Sequence, residues 1–191
     1  MTRGRILIAG GGIGGLTAAL CLARTGFEAV VFEQAPEFGE IGAGIQLSPN
    51  CSRVLHHLGL APALEKCAFL PEGTEFRAWK TGRLIASSTL GEAVRERYGA
   101  PYYHIHRGDL LALLVEAARQ NQAIELRESA RVEAFSQDAS GVRVTVNGRS
   151  EEGDALIGAD GIHSTVRAGR FGAVAPNFTG NVAWRALVPA D

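Results

Sequence analysis

The sequence predicts an α/β fold in which a doubly wound parallel sheet carries an antiparallel β-meander and a partial second sheet. The first observation is the order near the amino terminus: an apolar run at Arg5–Ala9, a glycine-rich turn, an apolar helix over residues 13–25 and a second apolar run. The second is the alternation of apolar and polar residues over 132–136 and 142–146, which is typical of half-buried antiparallel strands. The third is a late apolar run, ALIGA, with the composition of a strand buried on both faces.

The glycines after the first strand have the spacing of a turn that approaches a phosphate. Gly10, Gly12 and Gly15 stand at G-x-G-x-x-G spacing. The first glycine permits the tight turn, the second lets the backbone approach a pyrophosphate, and the third lets the helix pack on the strand. The N–H groups around Ile13 and Gly14 then point at an anion, which the helix dipole favours. A structural βαβ unit without a ligand is the alternative, which the cost of so many glycines disfavours.

An acidic residue ends the second strand. Residues 29–32 form the apolar run and Glu33 follows it, about twenty residues after the glycines. A carboxylate at this place accepts hydrogen bonds from ribose hydroxyls and disfavours a 2′-phosphate. The stretch therefore predicts a dinucleotide site that does not take NADP, and by itself it leaves NAD and FAD as alternatives.

The composition and charge are those of an ordinary globular protein. The chain has 191 residues, of which 46% are hydrophobic and 20% charged, and its net charge at pH 7 is −1. This balance gives no signal for a nucleic-acid or membrane partner. Cys21, Cys51 and Cys67 lack metal-site spacing, so we expect reduced thiols, no bound metal and a cytoplasmic location. Residues 6–23 carry no charge, but their glycines fit a βαβ unit better than a membrane span.

The rest of the chain alternates short elements with turns. After a loop with Gly39, Gly42 and Gly44, we expect a helix over 51–58, capped by Ser48 or Asn50. The other expected elements are extended backbone at 45–47 and 101–106, a helical turn at 62–66, hairpin strands at 72–80 and 83–88, an ambiguous charged segment at 90–98, a helix over 107–120, strands at 123–126, 155–159 and 182–188, and a short helix at 164–168.

Four stretches together resemble a known family. They are residues 10–15 with Glu33, residues 42–50 (GAGIQLSPN), residues 106–110 (HRGDL) and residues 155–167 (ALIGADGIHSTVR). In their order and spacing, the chain resembles the FAD-dependent aromatic hydroxylases of the para-hydroxybenzoate and salicylate hydroxylase type, which are class A flavoprotein monooxygenases. The resemblance implies FAD rather than NAD as the bound dinucleotide, NADH or NADPH as the reductant, and O2 with a small aromatic molecule as substrates.

The resemblance also implies roles for particular residues. Glu33 would hold the adenosine ribose, and Val132 would touch the adenine. Arg107 would reach the pyrophosphate or ribityl region, with Asp160 and Arg167 in a network near the pyrophosphate. Residues of the GAGIQ segment would lie near the isoalloxazine ring. The complete set assigned to FAD is Gly10, Gly12, Ile13, Gly14, Gly15, Glu33, Gln34, Gly44, Ile45, Gln46, Arg107, Val132 and Asp160.

Some of these residues have a structural alternative. A surface role for Arg107 is disfavoured because an arginine at a helix start opposes the helix dipole. Gln46 is equally consistent with an ordinary polar loop residue, and Asp160 with a cap for the following helix. Val132 is favoured as a core residue that also lines the site.

The histidines and tryptophans are assigned no chemistry. We interpret His104, His106 and His163 as structural residues, and no catalytic residue is assigned. The resemblance implies that Trp79, Trp184 and Arg185 lie on the sheet of a substrate domain.

The resemblance divides the chain between two domains. Residues 1–70 and 101–178 would form the FAD-binding domain, residues 71–100 an excursion into the substrate domain, and residues 179–191 the start of its next part. Since family members are longer, we interpret the sequence as an N-terminal fragment that is inactive alone, with residues 155–159 at an open edge that permits a homodimer. The alternatives are a non-catalytic FAD-fold binding or assembly module and, less favoured, an NAD-dependent dehydrogenase domain.

Overall fold

The computed structural model describes residues 3–39 and 43–182. By compactness the chain divides into one unit of Met1–Glu40 with Leu111–Asp191 and a second unit of Ile41–Leu110. The elements, in chain order, are β1 (Arg5–Ala9), α1 (Ile13–Arg24), β2 (Glu28–Phe32), β3 (Gly44–Leu47), α2 (Pro49–His57), α3 (Ala61–Cys67), β4 (Gly73–Arg77), β5 (Leu84–Thr89), α4 (Gly91–Tyr98), β6 (Tyr103–His106), α5 (Arg107–Arg119), β7 (Ile124–Arg127), β8 (Val132–Asp138), β9 (Gly141–Val146), β10 (Arg149–Gly153), β11 (Ala155–Gly158) and α6 (Thr165–Phe171).

A parallel sheet organises the first unit. Its strand order is β11-β1-β2-β7, and all three strand pairs are parallel. After their first residues, Arg5 and Glu28, the central strands are apolar, as is typical of strands covered on both faces, and the side chains of Leu7, Ile8 and Val31 are fully buried. Within the described residues β11 pairs with β1 alone, so the prediction of an edge strand at 155–159 is confirmed. The predicted α/β fold with a parallel sheet is likewise confirmed. The expectation that the edge strand is buried on both faces is wrong, because at the edge its residues are exposed or half-buried.

The two faces of this sheet are covered by different structures. Helix α1 packs against β1 and β2 on one face. On the other face, Leu7, Ala9, Val30 and Phe32 form one apolar cluster with valines of the antiparallel sheet β10-β9-β8. Burial of a valine, leucine or phenylalanine side chain stabilises a fold by about 1.5–3 kcal/mol. The predicted meander is therefore confirmed, and it covers the face that helices occupy in a regular doubly wound fold.

Ion pairs join the meander to the parallel sheet. Arg127 of β7 contacts Glu151 of β10 at 2.6 Å, and Arg5 of β1 reaches the same carboxylate at 3.4 Å. The hydrogen bond from Arg127 holds the pKa of the Glu151 carboxyl below its ordinary value. Partly exposed pairs of this kind are worth about 0–1 kcal/mol each, so they fix the position of β10 more than they stabilise the fold.

The second unit contains two separate antiparallel strand pairs. In the β3–β6 pair, Leu47, Tyr103 and Ile105 are buried. The β4–β5 hairpin leaves apolar side chains exposed, including Phe76 and Ile85. The charged segment at 90–98, which the sequence leaves ambiguous, forms α4.

Three local expectations need correction or fall outside the described residues. Helix α2 begins at Pro49 with Ser48 as its N-cap residue, but no side-chain hydrogen bond caps it; the Ser48 hydroxyl donates to Asn50 Oδ1 at 2.5 Å. Trp79 lies in the turn of the β4–β5 hairpin rather than in a strand, and it is 88% exposed. Trp184, Arg185 and most of the predicted strand at 182–188 lie outside the described residues.

The uncharged stretch at 6–23 is divided between β1, the glycine turn and α1. None of the helices in residues 3–39 and 43–182 is both long enough and apolar enough to cross a bilayer.

Candidate cofactor site

The glycines between β1 and α1 serve two different purposes. A Cβ atom on Gly10 would lie 2.3 Å from the carbonyl oxygen of Ala159, and one on Gly15 would lie 1.9 Å from the carbonyl oxygen of Gly10. Gly10 also has φ +102, which side chains rarely adopt. By contrast, no heavy atom lies within 4 Å of a Cβ on Gly12 or Gly14. Gly10 and Gly15 therefore permit close packing, whereas Gly12 and Gly14 leave open space beside the backbone.

The start of α1 has no cap of its own. Gly12 is the N-cap residue, no side chain hydrogen-bonds there, and the first turn contains no acidic residue. The first N–H groups of a helix have no partner within the helix, and its dipole places partial positive charge at this end. The open space beside Gly12 therefore adjoins helix N–H groups that an anion such as a pyrophosphate can bind.

Glu33 is held beside this turn by two backbone amides. Its Oε2 accepts a hydrogen bond from the Gly11 N–H at 2.8 Å, and its Oε1 accepts one from the Ala35 N–H at 2.9 Å. An ionised carboxylate has about four acceptor positions, so each oxygen keeps a lone pair for a further donor. The side chain of Gln34, which the sequence also assigned to FAD, is exposed next to it.

A cavity of about 170 Å³ adjoins Glu33 and the turn. Its lining is Gly11, Gly12, Glu33, Glu37, Phe38, Gly39 and Leu111. Sequence reasoning missed Gly11 and Phe38 as neighbours of the site. A Cβ on Gly11 would lie 2.3 Å from Phe38 Cε1, so the middle glycine of the GGG run is needed for packing, and its amide holds Glu33.

Val132 and Asp160 both have structural roles in the first unit. Val132 opens β8, is 6% exposed and belongs to the apolar cluster under the meander, as the sequence favoured. Asp160 Oδ1 accepts from the Ser164 hydroxyl at 2.5 Å, and its Oδ2 accepts from the Val166 N–H at 3.1 Å. Asp160 is thus part of the cap of α6. Arg167 donates to the carbonyl oxygens of Gly161 and Ile162 in the same turn.

The remaining predicted residues lie in the second unit. Gly44, Ile45 and Gln46 form most of β3, and Gln46 is exposed. The Tyr102 hydroxyl donates to Gln46 Oε1 at 2.9 Å. Arg107 begins α5 with an exposed side chain, and its backbone N–H donates to the Ala43 carbonyl at 3.1 Å. The predicted FAD-binding residues therefore fall into two sets, one in each unit.

The donor set of the first unit suits a dinucleotide. It offers uncapped helix amides for a pyrophosphate, open space at Gly12 for its approach and a fixed carboxylate for ribose hydroxyls. Residues 3–186 match the family model described as FAD binding domain. The chain belongs to this FAD-binding domain family.

Relatives of this FAD-binding domain are named as monooxygenases. The chain is 46% identical over 99% of its length to 3-amino-4-hydroxybenzoate 2-monooxygenase PtmB3 of Streptomyces platensis, of which it covers 47%. It is 44% identical over 96% of its length to 3-hydroxybenzoate 6-hydroxylase of Polaromonas naphthalenivorans, of which it covers 46%. The chain thus spans about half the length of the curated relatives it matches.

A solved structure gives the same result for the fold. The FAD-binding domain resembles Klebsiella pneumoniae HpxO complexed with FAD and uric acid, with a TM-score of 0.73 and 31% identity over 86% of this chain and 41% of that one. The family resemblance inferred from the sequence is confirmed, and FAD is the dinucleotide of the family.

Proposed function

We propose that this chain forms the FAD-binding part of an NAD(P)H-dependent aromatic-ring hydroxylase. The observation that carries the proposal is the uncapped start of α1 with open space at Gly12 beside the fixed Glu33 carboxylate. The names of the relatives, which act on hydroxybenzoates, support a small aromatic substrate with O2 as co-substrate.

The residues of the first unit bind the adenosine and pyrophosphate part of FAD in this proposal. The N–H groups of Ile13, Gly14 and Gly15 receive the pyrophosphate, and Glu33 accepts hydrogen bonds from the ribose. Because both Asp160 oxygens already bind the α6 turn, Asp160 acts near the pyrophosphate by holding that turn. Val132 contributes apolar surface for the adenine, and its burial in the cluster fixes its position.

The residues of the second unit contact the remainder of the cofactor in this proposal. Gly44, Ile45 and Gln46 lie near the isoalloxazine ring, and Arg107 binds the pyrophosphate or ribityl region through its guanidinium. The proposed domain division, with residues 1–70 and 101–178 binding FAD and residues 71–100 and 179–191 belonging to a substrate domain, follows from the same roles.

The protein supplies binding, orientation and exclusion of water. FAD bound by these residues would supply the redox chemistry: two electrons from NADH or NADPH and activation of O2, with one oxygen atom going to the aromatic ring and the other to water. Lining residues that exclude water favour the hydroxylated product over hydrogen peroxide.

Titration of the purified chain with FAD tests the proposal. We expect bound flavin absorption bands and a raised unfolding temperature, because a ligand that binds only the folded state stabilises it. NAD in place of FAD is the control, and NAD binding without flavin would favour the dehydrogenase alternative. Substrate-stimulated NAD(P)H oxidation with a hydroxylated product would exclude a non-catalytic module, whereas absence of any FAD binding would contradict the proposal.

Two further parts of the proposal concern the cellular location and the oligomeric state of the protein. Free Cys21, Cys51 and Cys67 support a reducing, cytoplasmic location. The edge position of β11 supports a homodimer formed by strand pairing. Sedimentation of the purified chain as a monomer would contradict the homodimer.

A further inference from the structure

The β3–β6 pair has one buried apolar face and one polar face. In register, Gln46 lies directly opposite His104, so their side chains share a face. By the period of a strand, Gly44, its cross-strand partner His106, and Tyr102 lie on the same side. We call these five residues, Gly44, Gln46, Tyr102, His104 and His106, the polar face of the β3–β6 pair.

On this polar face, Tyr102 determines which way the Gln46 amide points. The Tyr102 hydroxyl donates to Gln46 Oε1 at 2.9 Å. Because the amide oxygen is bound to the phenol, the NH2 group of Gln46 is directed away from Tyr102 as a double donor. No heavy atom lies within 4 Å of a Cβ on Gly44, so there is open space on the same face. The arrangement offers an oriented donor beside a place where a planar ring can approach the backbone.

His104 in turn fixes the Tyr102 ring. The two rings meet edge to face, with centroids 5.7 Å apart and an interplanar angle of 66°. The backbone of His104 is bound to Phe69 by hydrogen bonds of 2.7 and 2.8 Å, and the two side-chain rings are 6.4 Å apart. Among the described residues, His104 Nε2 is a buried polar atom with no hydrogen-bond partner. A buried polar atom without a partner costs stability.

We propose that Tyr102 is a positioning residue, whose phenol holds the Gln46 amide so that its NH2 group donates to an acceptor atom of the isoalloxazine ring. The proposal rests on the proposed function, since the place of Gln46 near the flavin belongs to it. It adds that Tyr102 acts through Gln46 and does not itself touch the cofactor.

Measurement of FAD binding to Tyr102→Phe tests this role. We expect the dissociation constant for FAD to rise about 3- to 10-fold, as for the loss of one oriented hydrogen bond. The absorption bands of the bound flavin should shift, because a donor to the ring is no longer fixed. The unfolding temperature without FAD should change by no more than about 2 °C, since the lost hydrogen bond joins exposed groups.

Two further variants separate positioning from other effects. Gln46→Ala should weaken FAD binding at least as much, and Tyr102→Phe should have no additional effect in the Gln46→Ala background. Tyr98→Phe makes the same chemical change at an exposed tyrosine of α4 and should leave FAD affinity and spectrum unchanged.

The outcomes are distinguishable from a failure of the proposed function. If the wild-type chain binds no FAD, the proposed function is wrong and this inference falls with it. If the wild type binds FAD but Tyr102→Phe has the same affinity and spectrum, the positioning role alone is wrong. A Tyr102→Phe effect that persists in Gln46→Ala would also overturn it, since Tyr102 would then act on FAD directly.

Discussion

Two helices of the first unit follow strands of the parallel sheet, and they differ in whether side chains accept hydrogen bonds from the N–H groups of the first turn. At α6, the Ser164 hydroxyl accepts from the Arg167 N–H at 2.9 Å, and Asp160 accepts from the Val166 N–H at 3.1 Å. At α1, the N-cap is Gly12, which has no side chain to offer, and no acidic residue stands in the first turn. The sequence around α6 thus provides its own acceptors, and that around α1 does not.

This difference favours α1 as the helix whose first turn receives the cofactor phosphates in the proposed function. The Glu33 carboxylate beside α1 binds the N–H of Gly11, which precedes the helix, so the helix amides themselves remain for a ligand. At α6 the corresponding positions are occupied by the chain, so an anion would have to displace Asp160. The acidic residues near the two helix starts therefore differ: Asp160 hydrogen-bonds within the first turn of α6, whereas Glu33 leaves the first turn of α1 unbound, as the proposed ligand role requires.

The largest expected effect concerns the packing glycine of α1. Gly15→Ala would place a methyl group 1.9 Å from the Gly10 carbonyl oxygen, so helix and strand must separate. We expect the free energy of unfolding to fall by about 3 kcal/mol, at the upper end for overpacking. Urea denaturation measures this. Gly14→Ala is the matched control: its methyl group meets open space and better helix propensity raises stability by up to about 1 kcal/mol. Equal losses of unfolding free energy in both variants would contradict the conclusion that Gly15 is needed for packing and Gly14 is not.

The variant with the next largest expected effect gives the start of α1 an acidic cap like that of α6. Gly12→Asp is compatible with the backbone, since φ −74 and ψ −177 are extended values. The new carboxylate caps the helix, so stability without FAD should rise by a few tenths of a kcal/mol. It also repels the pyrophosphate, so we expect FAD affinity to fall about 100-fold, or about 2.7 kcal/mol. Fluorescence titration with FAD measures the affinity.

Gly12→Asn separates charge from size in this experiment. Asparagine caps a helix as well as aspartate does but carries no charge. It should therefore weaken FAD binding clearly less than Gly12→Asp. Wild-type affinity in Gly12→Asp would show that the pyrophosphate lies elsewhere.

The sequence predicts those features that depend on short-range patterns. The strand, glycine turn and helix at residues 5–24 follow from apolar runs and glycine spacing, and the meander follows from alternation. The sequence also left open whether Asp160 caps a helix, and its contacts with Ser164 and Val166 settle that it does. These features are local, because each partner stands within a few residues or one turn.

The remainder could not be predicted because it depends on contacts between distant residues. The hydrogen bond from the Gly11 amide to Glu33 joins residues 22 apart, and the packing of Phe38 on Gly11 has no pattern in the sequence. Similarly, the Tyr102 hydroxyl reaches Gln46 across 56 residues. A polar residue such as Gln46 looks like an ordinary loop residue until its strand partner is known. The consecutive glycines at 10–12 were the one signal that could have indicated Gly11.

The smallest expected effect concerns the capped start of α6. Asp160→Ala removes the acceptor for the Val166 N–H and the partner of the Ser164 hydroxyl, so we expect a loss of about 1 kcal/mol in the free energy of unfolding. Asp160→Asn keeps an amide oxygen for one of these donors and should lose less. Urea denaturation of both variants measures the losses, and FAD titration measures affinity. If Asp160 serves the helix alone, FAD affinity should fall less in Asp160→Asn than in Asp160→Ala, in step with stability. A large loss of affinity in Asp160→Asn with unchanged stability would instead show that its charge acts on the cofactor, and the two helix starts would then differ less than their hydrogen bonds indicate.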